Sequence, residues 1–148
     1  MHDPHVILKV ISKFLVPFIA LFAFYVQFHG DFGPGGGFQA GVILAAAVIL
    51  YALIFGLDAA KKAFPPSWVR VGMSLGVLLY GGTGVLTWIL GGDFLSYGVL
   101  AHDPAHGQHY GIIAVELGIL CSVTNVMIAI FYAFGSRHRI PSSTAIMP

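Results

Sequence analysis

From Phe38 to Leu57 the chain runs for about 20 residues without a charge. A helix of that length and character is what spans the hydrocarbon of a bilayer. The run has companions. Phe14 to Phe28 is almost wholly apolar and extends back through Val6, Ile7, Leu8, Val10 and Ile11; two further runs cover about Val69 to Leu90 and Tyr110 to Phe134. The chain is 57% apolar and only 9% charged, with a mean hydropathy of +0.87. Soluble domains carry about 25% charged residues, so this chain lacks the means to cover itself for water. The expected fold is an all-α membrane protein with four transmembrane helices (about 6–28, 38–57, 69–90 and 110–134). These make one domain over residues 1–135, followed by a flexible cytoplasmic tail over 136–148.

The first run ends in Val26-Gln27-Phe28-His29 with no small-x-small cleavage site, so it reads as an uncleaved span rather than a signal peptide. Orientation follows from the basic residues. Lys9 and Lys13 stand near the N-terminus, Lys61, Lys62 and Arg70 around the second connection, and Arg137 and Arg139 near the C-terminus. Four spans with both termini cytoplasmic satisfy the positive-inside rule throughout. The two remaining connections then face outward.

The first of these is His29-Gly30-Asp31-Phe32-Gly33-Pro34-Gly35-Gly36-Gly37-Phe38-Gln39-Ala40-Gly41. Pro34 fixes one backbone angle, and the glycines admit shapes closed to other residues. Gly37 and Gly41 stand four apart, giving a helix that begins near Pro34 a bare edge suited to close helix packing. Gly72 and Gly76 repeat that spacing on the third span. The abundance of glycine and alanine on the second and third spans points to a subunit of a larger assembly.

Glu116 is the one acid well inside a span, roughly 9 Å below Tyr110 along a helix. A carboxylate there must be paired, hydrated or protonated, which makes it a candidate on a cation or proton path. The alternative is a structural acid pairing with a neighbouring subunit. His109, seven residues earlier on nearly the same face, is a candidate relay, with Asp31 and His29 on the same outer side. Asn125 points about 180° away from Glu116, toward an interhelical hydrogen bond. Thr83 and Thr87 are expected to bond back to their own helix. His102, His106 and His109 would share a helix face, but Pro104 and Gly107 argue against a continuous helix, and no metal site is expected.

Gly33 to Gly41 lacks a P-loop lysine and follows no strand, so no nucleotide is expected. The net charge of +1 and the absence of a basic run argue against nucleic acid. The single cysteine, Cys121, reads as a packing residue. No nucleophile–base pair, haem ligand set or iron–sulfur ligand set is recognisable, so neither an enzyme nor a cofactor is expected.

The string Pro34-Gly35-Gly36-Gly37-Phe38-Gln39, preceded by His29-Gly30 and followed by Gly41 and an alanine-rich span, resembles the B subunit of multisubunit Mrp/Mnh-type sodium/proton antiporters. The likeness covers most of Val6 to Phe134, including the lysine-bearing inner connection and the fourth span's Tyr110-Gly111 and Gly118. It departs from the usual family pattern at Asp31, where histidine is usual, and at Ala40, where glycine is usual. The resemblance implies an accessory subunit in the cell membrane of a bacterium or archaeon. Its partners would be other membrane subunits and the lipid bilayer, and Na+ and H+ the transported ions. The outer side of this chain would help shape the ion path. A related module occurs in membrane-bound hydrogenases, and a purely structural scaffold is the third reading.

Overall fold

The computed structural model describes residues 6–30 and 33–137. Four helices are long and apolar enough to cross a bilayer: α1 (Val6–His29), α2 (Gly37–Phe55), α4 (Pro66–Ile89) and α5 (Pro104–Arg137). A short helix, α3 (Leu57–Ala63), and a 3-10 turn at Tyr97–Leu100 complete the described structure. No strand occurs among the described residues. Asp31 and residues 138–148 of the expected tail lie outside the described residues.

Local chemistry sets the helix ends. Gly36 stands ahead of α2 at φ 119, a conformation open to glycine and strained for any L side chain. The Ala40 N–H then donates to the Gly36 carbonyl at 3.0 Å, closing the first helical turn. At the other end Gly56 takes φ 93 and donates its N–H to Ala52 at 2.9 Å. The apolar run therefore breaks one residue before Leu57, which opens α3 instead. Pro66 lies at the first position of α4, where a missing N–H costs nothing.

Pro104 does the same for α5. Asp103 caps that helix, accepting from the Ala105 N–H at 3.1 Å through Oδ1. The helix runs on through Gly107, so His106 and His109 are helical rather than in a broken loop. The expectation of an interrupted helix misread a first-turn proline as a breaker. His106 Nδ1 lies 2.8 Å from Asp103 Oδ2 at an exposed position, an ordinary surface pair.

The spans form a row rather than a closed bundle. α1 packs on α2, α2 on α5, and α5 on α4, while α1 meets α5 lightly. The last helix thus occupies the middle, with two working sides. Leu120, Val123 and Thr124 face α2, where Thr124 Oγ1 donates to the Gly41 carbonyl at 3.2 Å. Gly118, Cys121, Ser122 and Asn125 face α4, against Gly72 and Gly76. The buried residues of α4 are Val69, Gly72, Gly76, Thr83, Gly84 and Thr87; most recur three or four apart, as one helix face requires. Without water to drive the helices together, such interfaces rely on backbone proximity, which small residues permit.

A compact core closes one end. Ala45, Val48, Ala52, Ala60, Val69, Ile128 and Tyr132 form it, and the Tyr132 hydroxyl donates to the Phe64 carbonyl at 3.1 Å. Lys61 Nζ donates to Ser136 Oγ at 2.8 Å, and Lys13 lies 5.6 Å from the centre of the Phe55 ring. The start of α1, the α2–α4 connection and the end of α5 therefore share one lysine-bearing end. Gly30, residues 33–36 and residues 90–103 lie at the other.

Candidate functional site

At the end away from the lysines, α1, α2 and α5 converge on Glu116. Glu116 is half-buried on α5. Its Oε1 would lie 3.0 Å from a side chain placed at Gly36 and 3.2 Å from one placed at Gly30. Those two bare positions let the carboxylate reach the backbone ahead of α2. The N-terminus of α2 carries the positive end of the helix dipole, which favours a carboxylate there. Gly37 brings the helices closer still. A Cβ there would overlap the Glu116 carbonyl oxygen, with the carbonyl carbon at 2.9 Å and Cα at 3.1 Å. Gly35 lies against α1 in the same way, 2.6 Å from the Val26 carbonyl oxygen, and the Gly36 N–H donates to that oxygen at 3.3 Å.

A residue near the end of α1 that no sequence motif singles out completes the cluster. Gln27 on α1 is 3% exposed, and its Nε2 donates to Glu116 Oε2 at 3.3 Å. Its Oε1 is buried and has no hydrogen-bond partner among the described residues. Gln27 shares a helix face with the buried Ser12 and Ala23. A lone amide on the buried stripe of an apolar helix was the available signal, because such groups are retained where they have a partner.

The other sequence candidates occupy the rim. Gln39 is exposed, with Oε1 3.8 Å from the point a Gly36 side chain would occupy. Pro34 and Phe38 are also exposed, the latter turning outward from the α2 start. His29 closes α1, with its ring stacked on Tyr25 at 5.3 Å and its Nε2 over Gly33. His109 is exposed, roughly 10 Å above Glu116 along α5. Gly41, Gly72 and Gly76 are packing positions away from this cluster. Asn125 does face away from Glu116, but its Nδ2 donates to the Cys121 carbonyl of its own helix at 2.7 Å. Thr83 and Thr87 bond back to Leu79 and Gly84 at 2.7 and 2.8 Å.

No group of three or more His, Cys, Asp or Glu residues suited to a metal ion occurs among the described residues. The cluster instead brings a carboxylate and an amide together at a helix junction packed closely through glycines. Such a setting can hold a proton or a hard cation, since a carboxylate at this depth must be neutralised or paired.

Comparison with known proteins adds to this geometry. Residues 7–129 match a protein-family model described as a domain related to the MnhB subunit of Na+/H+ antiporter. The putative antiporter subunit mnhB2 of Staphylococcus aureus (strain Newman) is 35% identical over 133 residues, covering 88% of this chain and 94% of its own length. The counterpart from strain JH1 gives the same figures.

Proposed function

The chain belongs to the MnhB-related family of Na+/H+ antiporter subunits, and from that membership we propose that it works as a small accessory subunit shaping the outer-side ion path. The observation that carries the path role is the Glu116 carboxylate, set at the α2 N-terminus and bonded by a buried amide. Ionisable groups inside a membrane protein are costly, and function is the usual reason that they persist. Na+ and H+ are the ions of this reading. Other membrane subunits of the antiporter are the partners, and the location is the cell membrane of a bacterium or archaeon.

The described basic residues cluster toward one end, which the positive-inside rule assigns to the cytoplasm. Both termini are then cytoplasmic, and Glu116 with the glycine-rich connection faces the outer side. The chain acts as a transport-complex component rather than an enzyme.

The test is isolation of the native complex through a C-terminal tag, followed by exchange measurements in vesicles. Co-isolation with several antiporter subunits is expected, with at least a tenfold loss of sodium-driven proton exchange in Glu116→Gln, as befits loss of an ionisable path group. Full exchange by an assembled Glu116→Gln complex would leave only a structural role. Hydrogenase subunits in the same preparation would reassign the complex.

A further inference from the structure

We propose that Gln27 Oε1 and the Glu116 carboxylate are paired oxygen ligands of a monovalent-cation site where α1, α2 and α5 meet. Identifying the ion with the transported one rests on the antiporter-subunit reading. The geometry stands apart from it.

Gln27 is 97% buried by the 3% exposure of its residue, and Oε1 has no partner among the described residues. A buried carbonyl oxygen left unmatched is destabilising, and such exceptions mark an ion, a water or a working group. Nε2 already points at Glu116 Oε2, 3.3 Å away. This is the attractive orientation, since reversal would set two oxygens against each other. The unmatched oxygen is thus joined, through one planar amide, to a group in contact with the carboxylate.

Oxygen-only ligands select hard cations over soft metals. Charge decides between valences. Among the described residues one carboxylate lies here and neutralises one positive charge, and a divalent ion would keep a net charge in a low-dielectric setting. Gln39 Oε1 and Glu116 Oε1 both approach the bare face of Gly36, at 3.8 and 3.0 Å from the position of a would-be Cβ. Gln39, exposed on the same side, is the amide available to supply a further oxygen, with water completing the shell.

The experiment uses the purified antiporter complex with this chain labelled at glutamine side chains, followed by infrared difference spectroscopy on replacing a large organic cation with sodium. Sodium is expected to shift a carboxylate band that Glu116→Gln removes, and a glutamine carbonyl band that Gln27→Leu removes. In exchange assays Gln27→Leu is expected to raise half-saturating sodium at least tenfold, and Gln27→Asn, which keeps the amide, less so. Absence of a sodium-dependent glutamine band in the wild-type complex overturns the proposal, whatever the variants do. So does unchanged half-saturation in an assembled Gln27→Leu complex; if Glu116→Gln still abolishes exchange there, only this inference falls. Full activity of Glu116→Gln overturns both it and the path reading. Calcium producing the same bands at lower concentration overturns the monovalent assignment.

Discussion

Replacing Gly76 with alanine tests how closely α4 and α5 approach. A Cβ at that position would sit 2.5 Å from the Ser122 backbone nitrogen and 2.6 Å from the Gly118 carbonyl oxygen. Backbone atoms cannot rotate away, so restoring an ordinary 3.4 Å contact requires the helices to part by about 0.9 Å. Cys121 Sγ, which donates to the Gly72 carbonyl at 3.3 Å, would be drawn out of reach by the same movement. Overpacking costs about 1–3 kcal/mol, and alanine returns roughly 0.5–1 kcal/mol of helix propensity. The net loss is about 1–2 kcal/mol, or a roughly 5- to 30-fold rise in the parted state. Cys121 is the chain's single cysteine and lies in this interface, so it serves as the reporter. Maleimide labelling of the full chain in mild detergent is expected to accelerate by that factor in Gly76→Ala. Gly81, with nothing within 4 Å of its would-be Cβ, is the internal control, and Gly81→Ala should label no faster than wild type. Equal rates for the two variants would refute the close α4–α5 contact.

Two further predictions concern the connection between α4 and α5. Thr87 is fully buried, and its Oγ1 accepts the N–H of Leu95, which is held at φ 65; Thr87→Val leaves that N–H unmatched and should cost about 1–3 kcal/mol in detergent unfolding. Burial, with a smaller contribution from Tyr80, raises the Tyr97 phenol above its ordinary value. A raised folded-state pKa favours the protonated form, so this stabilisation is complete below about pH 10 and is lost as pH climbs through the folded value. Tyr97→Phe should therefore flatten the alkaline decline in stability, and an unchanged decline would assign it to other groups.

The four spans were legible because charge-free runs of bilayer length admit few other structures. The Gly72–Gly76 edge was legible too, since small residues four apart have one common use in a membrane helix. Helix ends were harder. Pro104 reads as a breaker, yet it begins a helix as Pro66 does, because a proline's effect depends on which turn it occupies. Glu116 stood out as an acid at depth, whereas Gln27 did not. Its hydropathy is unremarkable beside His29, and the partner that gives it meaning is 89 positions away. Long-range pairing of that kind leaves no local pattern. His29 and His109 are legible as titratable groups near the Glu116 end, while the stacking of His29 on Tyr25 and the exposure of His109 are tertiary features with no local sequence signal.

The central position of α5 has a consequence for how the protein is made. Synthesis delivers the two flanks of the row, α1–α2 and α4, before the helix that joins them. Until α5 is in place, the small-residue face of α4 at Gly72 and Gly76 and the Gly37–Gly41 edge of α2 both lack the neighbour that packs on them. Insertion of the last helix covers both edges and brings Glu116 to Gln27 in the same step. Covering of the two edges and formation of the Gln27–Glu116 pair are thus one event in biogenesis, and a chain stalled before Tyr110 carries neither.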